Sequence, residues 1–157
     1  MENYMKLEIL AKSENEGFAR STVAAFALTL NPSLNELSDI KTAVSEAVTN
    51  CVVHAYRNGE QGKIFIECTT QFLSPTEGVL HIVVKDNGCG IEDVERATLP
   101  FFTTLENEER SGMGFTIMQT FMSDFSLISE TGKGTTVRMS KKICAEERAE
   151  QRERADA

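Results

Sequence analysis

No stretch of this chain approaches the roughly 20 consecutive apolar residues that a membrane-spanning helix needs. Its start, Met1-Glu2-Asn3-Tyr4-Met5-Lys6, is polar and acidic, unlike a secretory signal. The expectation is a cytoplasmic protein with no membrane contact. Basic residues are also scarce: 16 Lys and Arg face 24 Asp and Glu, a formal net charge of -8. Without clustered Lys and Arg there is no broad surface for nucleic acid or an anionic membrane, although a basic protein partner is compatible. The four cysteines, Cys51, Cys68, Cys89 and Cys144, form no Cys-x-x-Cys pair, and only His54 and His81 accompany them. That argues against a zinc site. Cys51 and Cys68 suit core positions, and Cys89, between two glycines, reads as a bystander thiol.

Several signatures are missing too. No Gly-x-x-x-x-Gly-Lys-Ser/Thr run is present, and neither Gly-x-Gly turn completes the dinucleotide fingerprint. Asp86-Asn87-Gly88 has no His-Arg-Asp loop to make it part of a protein-kinase site, and Gly88 would occupy a ligand position of an EF-hand. There is no internal repeat and no low-complexity segment.

What is present suffices for one core. With 157 residues, 41% of them hydrophobic, the chain fits a single domain and is too short for two ordinary ones. We place that domain at 1–144, followed by a charged tail, 145–157, in which Glu and Arg alternate without a large apolar residue. Period-2 patterning predicts strands over Met5–Ala11, Lys63–Phe72, Val79–Lys85, Asp124–Ser129 and Thr135–Lys141. Ser13 with Glu16 reads as a capping box opening a first helix, whose apolar face is Phe18, Val23, Phe26, Ala27 and Leu30. Ser33 caps a second helix, expected to run to Arg57-Asn58-Gly59. A third opens at Ser111-Gly112-Met113-Gly114 and buries Phe115, Met118, Phe121 and Met122. The order β-α-α-β-β-α-β-β predicts an α+β two-layer sandwich, with a mixed, mostly antiparallel sheet and helices on one face. Glu92–Glu109 is a long connection of the kind that forms lids.

Three features carry chemistry. In the second helix Glu46, Asn50 and His54 recur every fourth residue, about 6 Å apart in one row. A solvated helix edge is the commoner fate of such residues taken alone. Asp86 continues the apolar face of Leu80, Ile82 and Val84, so the pleat points its carboxylate under the helices. Thr135 shares a face with Val137 and Met139. Asp86-x-Gly-x-Gly90 and Gly112-x-Gly114 are turns where backbone can approach a ligand, and the second opens a helix whose free N–H groups suit a phosphate.

Taken in order, Glu46-x-x-x-Asn50, Asp86-x-Gly-x-Gly90, Gly112-x-Gly114 and Gly134-Thr135 resemble the Bergerat-type (GHKL) ATP-binding fold shared by gyrase, Hsp90, histidine kinases and MutL. The spelling of Ser45 to Asn50, of Phe102-Thr103-Thr104 and of Glu109 to Met118 is similar to bacterial anti-sigma-factor serine kinases, in particular their sporulation anti-sigma-F branch. The resemblance implies ATP and Mg²⁺ as cofactors. Asp86 would accept from the adenine amino group, with Thr135 helping through a water. Asn50 would hold the metal, Glu46 would take or orient the proton of the attacking hydroxyl, and the backbone at Gly88, Gly90, Gly112 and Gly114 would line the nucleotide. Thr103 and Thr104 would contact phosphate from the lid. Members of that family carry Lys-Pro after the paired threonines, where this chain has Leu105-Glu106, which makes Arg110 the candidate phosphate cation.

The resemblance further implies an enzyme with two kinds of partner: a sigma factor that it sequesters, and an anti-anti-sigma protein that it phosphorylates on serine. A homodimer is expected, from the family and from an edge strand at the N-terminus. Histidine kinases need a phosphoacceptor His on a dimerising helix, which neither His54 nor His81 provides. Alternatives are a general-stress anti-sigma kinase, or a nucleotide-dependent binding module with little catalysis.

Overall fold

Alternation of apolar and polar side chains builds the sheet. The computed structural model describes residues 3–56, 61–99 and 113–145. Its strands are β1 (Asn3–Leu10), β2 (Lys63–Phe72), β3 (Glu77–Asp86), β4 (Asp124–Glu130) and β5 (Gly134–Cys144). On β2 the buried side chains are Ile64, Ile66, Cys68 and Thr70; on β3 they are Leu80, Ile82, Val84 and Asp86. The spatial order is β1-β2-β3-β5-β4, with every pairing antiparallel. The sheet is therefore not mixed as expected, because hairpins and helix-bearing returns bring each strand back beside its neighbour in the opposite sense. Register aligns Leu7, Ile66, Val84, Val137 and Leu127 in one row across all five strands. Each fully buried Ile or Val of this kind contributes about 1.5–3 kcal/mol.

Helices α1 (Glu14–Ala27), α2 (Leu34–Asn50) and α4 (Gly114–Phe121) cover that apolar face, and the short α3 (Val94–Ala97) lies beside β4. α1 differs from its sequence reading in two ways. Ser13 has helical angles and makes no side-chain cap, so the expected capping box is absent. Glu16 reaches α2 instead, accepting from the Ser45 hydroxyl, and pairs within α1 with Arg20 at 3.4 Å. Phe18 is 55% exposed, and α1 packs through Ala19, Val23, Ala24 and Ala27, whose small side chains let α2 come close. A 3₁₀ turn, Leu28–Leu30, follows, and Asn31 at φ 58° reverses the chain.

The capping box lies on α2. Ser33 Oγ accepts the Glu36 N–H at 3.1 Å, and Glu36 Oε2 accepts the Ser33 N–H at 2.7 Å. The other Glu36 oxygen accepts the Cys144 N–H at 3.2 Å, and Lys141 donates to Asp39 at 2.9 Å. Two polar ties thus join the start of α2 to β5.

α2 does not continue to Arg57. After Asn50 it widens into a π-helical turn, Cys51–Ala55. The cause is tertiary. The Ala55 carbonyl accepts the Cys89 N–H at 2.8 Å, and a Cβ at Gly88 would stand 2.2 Å from that oxygen. The turn swings Ala55 out to meet the loop after β3, and such turns recur at functional sites. On α4, Met118 is buried and Phe115 half-buried, but Phe121 lies at the rim, 36% exposed, against expectation.

Candidate functional site

One half of the site is made where α2 meets α4. Glu46 and Asn50, half-buried and one turn apart, face the first residue of α4. A Cβ on Gly114 would lie 3.1 Å from Asn50 Nδ2, 3.3 Å from Asn50 Oδ1 and 3.2 Å from Glu46 Oε2, so glycine there lets both side chains reach the helix start. The N–H groups of that first turn have no partner within the helix. A hard divalent cation such as Mg²⁺ takes oxygen ligands, and the Asn50 carbonyl beside the Glu46 carboxylate fits that preference. The expected third member of the row, His54, falls in the π-helical turn, so the four-residue spacing no longer stacks it on Asn50; its carbonyl accepts from Cys89 Sγ at 3.2 Å.

The other half lies at the C-terminal end of β3. Asp86 is only 3% exposed. Gly88 N–H donates to its Oδ1 at 2.9 Å, and Cys51 Sγ donates to its Oδ2 at 3.5 Å. Burial pushes the Asp86 carboxyl above its ordinary value, opposed by the Gly88 N–H, the Cys51 thiol and the Thr135 backbone. Burial, and then the Asp86 charge, push the Cys51 thiol well above the usual range, so it stays a protonated donor. Thr135 stands directly across from Asp86 on β5, and Ser129 across from Thr135 on β4, with the two hydroxyl oxygens 2.8 Å apart. Gly90, at φ 73°, packs so tightly on the β4–β5 turn that a Cβ would lie 2.2 Å from the Glu130 oxygen.

Tyr56 locks the two parts of the loop together. Its hydroxyl accepts the Asn87 N–H at 2.9 Å and donates to the Lys63 carbonyl at 2.5 Å. Between α1 and α2, Arg20, Lys41, Thr42, Ser45 and Glu46 line a polar groove of about 330 Å³.

The structure thus brings Glu46 and Asn50 to the start of α4, and sets Asp86, Gly88, Gly90 and Thr135 around the end of β3. Thr103, Thr104, Arg110 and Gly112 lie outside the described residues. Sequence reasoning missed Cys51, Tyr56 and Ser129 as neighbours of the site. Cys51 and Tyr56 are placed by the π-helical turn and its exit, for which no motif exists. Ser129 was reachable, since the Gly-containing turn from Thr131 to Lys133 sets the register that pairs it with Thr135.

Residues 9–141 match the histidine kinase-like ATPase domain family. The chain is 55% identical over 141 residues to the anti-sigma F factor of Caldanaerobacter subterraneus subsp. tengcongensis, covering 90% of this chain and 94% of that one. It is 52% identical to the anti-sigma F factor of Clostridium perfringens, with 91% and 99% covered, and 50% identical to that of Geobacillus stearothermophilus, with 92% and 95% covered. Two solved structures share the fold at low identity. The RsbU and RsbW domains of a Mycobacterium tuberculosis protein superpose with a TM-score of 0.62 at 16% identity, covering 88% of this chain and 32% of that one. The mycobacterial sensor histidine kinase MprB gives 0.52 at 14%, with 91% and 99% covered. Half-identity sustained over nine-tenths of both chains, on a five-stranded sheet of the same fold, means that the chain belongs to the anti-sigma F factor family of histidine kinase-like ATPase domains.

Proposed function

We propose that this protein binds ATP with Mg²⁺, holds a sporulation sigma factor, and phosphorylates a serine of the anti-anti-sigma protein that opposes it. The observation that carries the reading is the pairing of a buried carboxylate, Asp86, facing Thr135, with a second polar pair, Glu46 and Asn50, at the start of α4. Asp86 is suited to accept from an adenine amino group, and the loop glycines Gly88 and Gly90 keep the backbone close to the base. The α4 N–H groups, with Gly112 and Gly114, are suited to phosphate oxygens. Thr103, Thr104 and Arg110 are assigned the same phosphates from the preceding segment. Bound Mg²⁺, held through Asn50, would supply neutralising charge to the phosphates.

Glu46 acts on the substrate hydroxyl. The serine oxygen attacks the γ-phosphorus, the bond to the bridging oxygen breaks, ADP departs, and the hydroxyl proton passes to the Glu46 carboxylate. The polar groove beside Glu46 offers the serine-bearing partner a hydrogen-bonding approach. The protein works in the cytoplasm as a homodimer of one domain, 1–144, with the 145–157 tail outside it.

The test is direct. The protein purified with the partner it captures from sporulating cells, given ATP and Mg²⁺, should transfer one phosphate to a partner serine, read by mass spectrometry. A partner left unmodified while ATP is bound would reduce the protein to a nucleotide-dependent binding module.

A further inference from the structure

We propose that Ser129 is a specificity-determining residue, which keeps the Thr135 hydroxyl from offering a proton to the purine edge and so excludes 6-oxopurine nucleotides. The inference rests on the adenine site proposed above and follows from counting protons. Ser129 Oγ lies 3.0 Å from the Gly134 carbonyl oxygen. A carbonyl only accepts, so the single Ser129 proton is committed there. The Ile91 N–H donates to Ser129 Oγ at 2.7 Å. The remaining contact, 2.8 Å between Ser129 Oγ and Thr135 Oγ1, must then have Thr135 as its donor. Ser129 is saturated, with one proton given and two lone pairs filled.

Thr135 Oγ1 is left with lone pairs alone. It sits on the strand position paired with Asp86, on the face that looks under the helices. The Asp86 oxygens, held by Gly88 N–H and the Cys51 thiol, also only accept. Two adjacent side chains therefore present an acceptor-only edge. A 6-amino group meets it with N–H donors, whereas a 6-oxo group would set oxygen lone pairs against oxygen lone pairs. Sites built this way reject the wrong partner because polar groups are left unpaired on both sides. Without the Ser129 oxygen, the Thr135 hydroxyl is free to turn and donate into the pocket.

Calorimetry on the full chain with ATP and with inosine triphosphate decides the matter. Wild type should bind ATP and discriminate strongly against the 6-oxo nucleotide. Ser129→Ala should narrow the ATP-to-inosine ratio at least tenfold, chiefly by a gain in inosine triphosphate affinity. Ser129→Thr, which keeps the oxygen, should retain the wild-type ratio. In a Thr135→Val background Ser129→Ala should change the ratio no further. An unchanged ratio in Ser129→Ala, or an equal effect with and without the Thr135 hydroxyl, would overturn the inference. Should Ser129→Ala fail to fold by circular dichroism, Ser129→Val, which also removes the oxygen but suits a strand, answers in its place: an unchanged ratio in that variant overturns the inference. Absence of ATP binding by wild type would instead remove the proposed nucleotide site itself.

Discussion

Asp86 combines burial with charge, and that combination gives it two opposite dependences on pH. Its folded pKa is raised, mainly by desolvation. Between the unfolded and the folded value the native state therefore holds a proton that the unfolded chain has lost, and the stability of the free protein falls as pH rises through that window. Nucleotide binding runs the other way, because the acceptor must be ionised: ATP affinity should drop as pH falls through the folded pKa. Asp86→Asn should flatten both profiles, which denaturant midpoints and calorimetry across the acid range will show. At neutral pH the same change should weaken ATP at least tenfold, about 1.4 kcal/mol, for a lost bond to a charged acceptor. Undiminished ATP binding would remove Asp86 from the site. Glu46 has a different duty at the same scale. It faces the start of α4 next to Asn50, whereas Cys51, just past the end of α2, is the residue that touches Asp86. Glu46→Gln should cost about 10²–10⁴-fold in phosphoryl transfer while ATP affinity holds. Normal transfer in that variant would leave Glu46 as a polar helix edge.

At the scale of the element, α2 is the organiser, and its start is better anchored than its end. The Ser33–Glu36 capping box satisfies two backbone N–H groups, and Glu36 reaches on to the Cys144 N–H of β5. Ser33→Ala should cost about 1 kcal/mol of stability, and Glu36→Ala more, because it also removes the bond to the Cys144 N–H of β5. Urea titrations read by circular dichroism will rank the two; the reverse order would mean that the link to β5 contributes nothing. The end of α2 is governed by a neighbour. Ala55 turns its carbonyl to Cys89, and Tyr56 then spans Asn87 and Lys63, so the loop that carries Gly88 and Gly90 is held by the helix exit.

At the scale of the whole molecule, the sheet among the described residues has one face under the helices and one without them. The uncovered face carries exposed ion pairs such as Lys6–Glu67 and Lys63–Glu8, at 3.3 and 2.7 Å. Pairs this accessible contribute little to stability. Among the described residues β1 pairs only with β2 and so forms one edge of the sheet, leaving a row of backbone groups to be matched. The proposed homodimer should show in light scattering at micromolar concentration as twice the 17.4 kDa chain mass. A monomer mass with and without ATP would rule it out.

Legibility followed the range of the interactions. Strand alternation alone placed Asp86 on the buried face and Thr135 on the side of Val137 and Met139, because the pleat has a period of two whatever the surroundings. The ordered motifs at Glu46, Asn50, Asp86 and Gly114 identified the family, since each lies on a short, regular local element. Ser13 reads as a cap by the same local rules, yet its Glu16 is taken by Ser45 across the helix pair and by Arg20 one turn further along α1. Phe18 fits a helical period, yet the close approach of α1 and α2 leaves room only for alanines and valine. The π-helical turn and the Cys51–Asp86 contact belong to the same class. Each depends on residues many positions apart meeting in space. Propensity and period act within one element, and only tertiary packing decides which of two locally acceptable partners a side chain takes.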